Sequence, residues 1–155
     1  MLIFRVARVL EEAGVDFAVC GGYAVALHGA VRGTVDVDIV LRLDRKNFVA
    51  AETALNTLGL VSRLPVGAAQ VFDFREEYLR DRNLRAWSFW NPKDQTEIVD
   101  VVLTRDLASM KVTRVRSGAF TLPVVSIIDL IAMKKAAGRP QDLEEVRALK
   151  ALRKP

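Results

Sequence analysis

The chain has 155 residues, 51% of them hydrophobic and 27% charged, a balance that excludes a disordered protein and suits one domain with at most a small C-terminal annex. A formal net charge of +4 suits phosphate-bearing partners such as a nucleotide or RNA, but the basic residues are scattered and serve equally as a solvated surface. Cys20 is the only cysteine, so no internal disulfide forms, and no stretch approaches ~20 uninterrupted apolar residues; a cytoplasmic, non-membrane protein is expected.

Residues 2–13 read as a helix, with Leu2, Val6, Val9, Leu10 and Ala13 on one side and Gly14 closing it. Residues 15–20 form a short apolar strand in which Cys20 is a small buried hydrophobe. Gly21-Gly22 ends that strand, and residues 23–28 make one or two helical turns before Gly29. By itself the glycine pair is a tight turn; the N–H groups at the helix start are also open to an anion. Arg32, Gly33 and Thr34 lead into a second strand, 35–41. Asp44 caps a helix over 45–58 that stops at Gly59. If the strands it connects are parallel, the connection is a right-handed crossover.

A short strand is expected at 60–63, and residues 70–74 partly alternate apolar with polar. The charged stretch 75–85 is open between a surface loop, a short helix and a wall of a substrate channel. Residues 86–90 form a strand bearing Trp87, Phe89 and Trp90, which either pack in a core or dimer contact or stack on a ring. After a turn at 91–94 comes the apolar strand 97–103, with Asp100 in its middle. A carboxylate there needs a partner, a metal or exposure. Strands 112–115 and 119–122 make a hairpin around Ser117-Gly118. Ser126, with Asp129 three residues on, caps a helix over 127–137 that Gly138 and Pro140 end. A last helix begins near Gln141 with Leu143, Val146, Leu149 and Leu152 facing inward. The chain thus divides into a mixed α/β (α+β) core over 1–122 and a helical tail over 123–155 packed on the same domain.

Asp36 and Asp38 sit two apart on a strand, so both carboxylates share one face while Val35, Val37 and Ile39 turn to the core. Two like charges side by side cost free energy that a divalent metal removes. Transfer of a nucleotidyl group requires that the triphosphate be held, charge at phosphorus be stabilised and the attacking hydroxyl be activated. Two ions roughly 3.5–4 Å apart serve the last two needs, and they take hard oxygen ligands. Asp36 and Asp38 suit both ions, Asp100 suits the acceptor hydroxyl, and Gly21-Gly22 offers backbone donors to phosphate oxygens.

The run GGYAVALHGAVRGTVDVDIVL followed by EIVDVVL resembles the minimal nucleotidyltransferase superfamily, with its polymerase-beta-like fold. The run DLIAMKKAAGRPQDLEEVRAL is similar to the helical tail of small lincosamide-type and toxin-related relatives. The resemblance implies a mixed sheet flanked by helices, two Mg2+ ions on Asp36, Asp38 and Asp100, and an NTP, ATP among them, as substrate. It also implies phosphate contacts from Gly21 and Gly22. The serine that commonly follows the first glycine is itself glycine here, which removes a hydroxyl contact.

By the same resemblance Lys134 reaches the nucleotide phosphates, or else is a solvated helix lysine, and Asp142 steadies Lys134 or Arg139. Arg32 and Thr34 contact phosphate or order their loop, and His28 is structural or touches a phosphate. The implied activity is magnesium-dependent transfer of NMP from an NTP to an acceptor hydroxyl on a small molecule, protein or RNA. A protein partner or second subunit of a homodimer completes the acceptor site. Two alternatives stand beside it: a non-catalytic module of this fold, such as one partner of a toxin–antitoxin pair, and an RNA-binding protein.

Overall fold

In the computed structural model, which describes residues 1–30 and 36–153, the first half runs α1 (Leu2–Glu12), β1 (Phe17–Cys20), α2 (Gly21–Leu27), β2 (Val37–Leu41), α3 (Arg45–Asn56) and β3 (Val61–Ser62). Beyond these come α4 (Ala68–Asp73), α5 (Arg75–Arg82), β4 (Ala86–Asn91), β5 (Asp94–Val102), β6 (Val112–Ser117), β7 (Phe120–Val125), α6 (Ile127–Ala137) and α7 (Pro140–Arg153). The strands form one mixed sheet in the order β3-β4-β5-β2-β1-β7-β6. β2 runs parallel to β5 and antiparallel to β1, and β4 and β5 form an antiparallel hairpin.

Alternation along the central strands separates two faces. Val37, Ile39 and Leu41 of β2, Val99 and Val101 of β5, and Trp87 and Phe89 of β4 are all buried. Phe48 of α3 stacks on Trp87 at 6.1 Å between ring centroids, which places α3 over this face. Burying side chains of this size contributes about 1.5–3 kcal/mol each, so this face supplies most of the core. The opposite face carries Asp38, which lines a cavity with residues of α6, and Asp100 beside it; α7 packs on α6.

The helix caps are those expected from the sequence. Asp44 accepts a hydrogen bond from the Asn47 N–H, and Ser126 accepts one from the Asp129 N–H. Two stretches differ from the sequence reading, and the charged stretch takes one of the forms it kept open, the short helix. Residues 70–73, which partly alternate in sequence, belong to α4 with Phe74 at its C-cap; Ala68 and Val71 stand three apart and both are buried. The charged stretch forms α5, ended by Asn83 in the left-handed region. In α7, Leu143 and Leu152 are 44% and 42% exposed, while Asp142, Glu145, Val146 and Leu149 face inward. Among the described residues no helix is long and apolar enough to cross a membrane.

Candidate active site

The site is one row of side chains across four strands. Cys20 of β1 lies opposite Asp38 of β2, Asp38 beside Asp100 of β5, and Asp100 opposite Ser88 of β4. Residues in register on neighbouring strands point to the same side of the sheet. Asp38 and Asp100, 62 positions apart in sequence, are thereby brought side by side. The Ser88 hydroxyl donates to Asp100 Oδ1 at 2.5 Å.

Gly21 closes over this row. Its φ is +65°, and a Cβ placed there would lie 2.1 Å from Asp38 Oδ2 and 2.7 Å from Asp38 Cγ. Only glycine accepts both that backbone angle and that approach. The Asp38 carboxylate therefore packs directly against the backbone where β1 passes into α2. Gly22 is buried in the first turn of α2.

Crowding sets the electrostatics. Burial, then the neighbouring Asp100 charge, pushes the Asp38 carboxyl up to about 7, against the opposing pull of Lys134. Burial also raises Asp100, partly offset by the Ser88 hydrogen bond. The Cys20 thiol is pushed well up by burial and by Asp38, which suits a packed, unreactive side chain.

Lys134 enters from α6. It is only 7% exposed, so the solvated reading of this lysine does not hold. Its Nζ lies 3.4 Å from Asp142 Oδ1 and 3.0 Å from Glu145 Oε2, both on α7. Arg139 Nε donates to Asp142 Oδ2 at 2.7 Å. Burial alone would raise Asp142, but the Arg139 hydrogen bonds and the Lys134 charge outweigh it and hold the carboxyl low. Two cations and two carboxylates thus share the α6–α7 junction, where each buried charge faces one of opposite sign.

A cavity of about 740 Å³ opens beside this row. Asp38, Gly21 and Lys134 line one part of it; Val102, Met133 and Ala137 give it apolar walls, and Arg85, Thr104 and Arg105 also line it. Asp36 is partly buried just before β2. His28 Nε2 donates to the Val125 carbonyl at 2.8 Å, a structural bond that ties the end of α2 to β7. Arg32 and Thr34 lie outside the described residues. Of the aromatic cluster, Trp87 and Phe89 are core residues, while Trp90 is half-buried under the Arg63 guanidinium, 5.4 Å from its ring centroid.

Among the described residues no group of three or more His, Cys, Asp or Glu side chains is arranged to hold a metal ion. Asp38 and Asp100 nevertheless present paired hard oxygen donors; burial first, and neighbouring carboxylate charge second, raises both carboxyls, and a divalent cation relieves that cost. The donor set fits such an ion.

No protein-family model matches the chain, and no curated protein matches it significantly. Solved structures do. The solution structure of the antibiotic-resistance factor ANT(2'')-Ia matches with a TM-score of 0.62 at 14% identity, over 98% of this chain and 87% of that one. The lincosamide antibiotic adenylyltransferase LnuA, in its lincomycin-bound crystal structure, gives 0.64 at 12% identity, over 97% and 96%. An antigenic nucleotidyltransferase-like protein from Paracoccidioides brasiliensis gives 0.59 at 17%, over 96% and 73%. The chain has the polymerase-beta-like nucleotidyltransferase fold.

Within this nucleotidyltransferase fold, two residues of the site were not apparent from sequence. Ser88 stands in an apolar strand with nothing local to mark it as a partner of Asp100. Glu145 reads as an ordinary helix glutamate, although its spacing of three from Asp142 puts both carboxylates on one side of α7.

Proposed function

We propose that the protein is a magnesium-dependent nucleotidyltransferase, moving NMP from an NTP to an acceptor hydroxyl and releasing pyrophosphate. The observation that carries this reading is the pairing of Asp38 with Asp100 on adjacent strands, against Gly21 and in the cavity that Lys134 lines. Asp36, Asp38 and Asp100 would hold two Mg2+ ions, whose chemistry is to stabilise charge at the transferred phosphorus and to acidify the attacking hydroxyl. Asp100 also accepts the proton of that hydroxyl, with Ser88 fixing its orientation. The backbone N–H groups of Gly21 and Gly22 and the Lys134 ammonium bind phosphate oxygens, and Arg32 and Thr34 extend that contact. In this reading the core over 1–122 supplies the carboxylates and the tail over 123–155 supplies the cation. ANT(2'')-Ia has been solved with adenylyl-2''-tobramycin and LnuA with lincomycin, which favours a small-molecule acceptor.

The test is pyrophosphate release from each of the four NTPs with magnesium, offered a panel of hydroxyl compounds that includes lincomycin and tobramycin. Acceptor-dependent release by wild type should fall by about 10²-fold or more in Asp38→Asn and Asp100→Asn. Equal release by wild type and both variants would end the proposal.

A further inference from the structure

Arg85 and Arg105 line the cavity, yet among the described residues neither side chain makes a hydrogen bond or ion pair. Arg85 is exposed and Arg105 half-buried, so both guanidiniums stand at the rim of the cavity with donors open to an entering ligand. Thr104, between Leu103 and Arg105 on the same rim, adds a hydroxyl. The acceptors in the cavity lie elsewhere: Asp38 at the reacting row, and Asp142, whose oxygens are already taken by Arg139 and Lys134.

Register gives the distances meaning. Val102 is paired with Val40 and Ala86, two residues past the Asp38–Asp100 row, hence about 7 Å further along the sheet. Arg85 and Thr104 lie beyond it. The wall between the two ends is apolar, made by Val102, Met133 and Ala137; it suits the faces of rings and not a polyphosphate. Phosphate binding belongs to the other end, with Gly21 and Lys134. A nucleotide whose reacting phosphorus stands at Asp38 therefore places its base against Arg85 and Arg105.

From this we infer that the cavity selects nucleotides with keto bases, guanine above all. The O6 and N7 of guanine are both acceptors and take a bidentate guanidinium, whereas adenine offers N7 beside an N6 amino donor that two cations repel. Uracil, with O4, is favoured over cytosine, with its N4 amino group, for the same reason. This inference rests on the proposed nucleotidyl transfer and names its nucleotide.

The test is calorimetric titration of GTP, ITP, ATP, UTP and CTP, each with magnesium, into wild type, Arg105→Ala and Arg85→Ala. GTP and ITP, which share O6 and N7, should bind roughly tenfold or more tighter than ATP, and UTP tighter than CTP. The GTP-to-ATP ratio should collapse toward one in Arg105→Ala. ATP binding as well as or better than GTP would overturn the inference while leaving the transferase reading intact. A GTP preference that survives both substitutions would also overturn it. Absence of binding by every nucleotide to wild type would instead remove the transferase reading, and this inference with it.

Discussion

Gly21 and Asp38 occupy each other's space: the carboxylate of one fills the position that a side chain on the other would take, 2.1 Å from an ideal Cβ. Gly21→Ala should therefore cost more than the usual penalty for alanine at positive φ, about 2–4 kcal/mol in all. Placing Gly21→Ala in an Asp38→Ala background removes the Oδ2 and Cγ clashes but leaves the Cβ contact at 2.8 Å and the backbone angle. The double-mutant cycle, read by urea unfolding, should show a coupling of about 1 kcal/mol or more. Strict additivity would mean that the two residues do not meet.

Stability should depend on pH through Asp38. Its carboxyl lies at about 7 in the folded protein against an ordinary 3.8, so the folded state binds more protons than the unfolded state between those values. The metal-free protein is then most stable below about pH 4 as far as this group is concerned, and loses up to about 4 kcal/mol as pH rises through 7. Asp100, also raised, acts in the same direction. Urea midpoints at pH 5 and pH 8 should show the fall in wild type and a much smaller one in Asp38→Asn. Magnesium at pH 8 should recover part of the loss in wild type, as a ligand of the folded state does, and chelation should remove the recovery.

Ser88→Ala should leave the fold intact and alter the acid limb of activity. The Ser88 hydroxyl holds Asp100 down against burial, so its removal raises the carboxyl further. The pH at which activity is half-lost on the acid side should move up, measured as kcat against pH under saturating nucleotide. An unmoved limb would exclude Asp100 as the group that must be ionised.

Lys134→Met should destabilise by about 3 kcal/mol, because it withdraws the ammonium that faces both Asp142 and Glu145 at the α6–α7 junction. Adding Glu145→Gln to that variant should restore part of the loss. If Glu145→Gln made Lys134→Met worse, the two would not form a charge pair.

The residues that sequence reveals best are those whose meaning is local. Asp38 stands out because it alternates with the buried Val37 and Ile39 on a strand of period two. Asp44 and Ser126 cap helices because each side-chain oxygen meets the backbone N–H three residues further on. Asp100 stands out because a carboxylate in EIVDVVL conflicts with its surroundings. The hidden relationships are pairwise and distant. That Asp38 faces Asp100 and Asp100 faces Ser88 depends on registers between β2, β5 and β4, which no short window encodes. The last helix shows the same limit. Its leucines suggest an inner face that includes Leu143 and Leu152, but the need of Lys134 for counter-charges turns Asp142 and Glu145 inward instead.

The row from Cys20 through Asp38 and Asp100 to Ser88 also bears on how the sheet avoids misassembly. A slip of one residue in β2 or β5 would turn its aspartate into the layer now filled by Ile39, Val99 and Val101, at the cost of burying a carboxylate among hydrocarbon. The acidic side chains thus proofread strand alignment, and a molecule that has passed that check has its site already assembled.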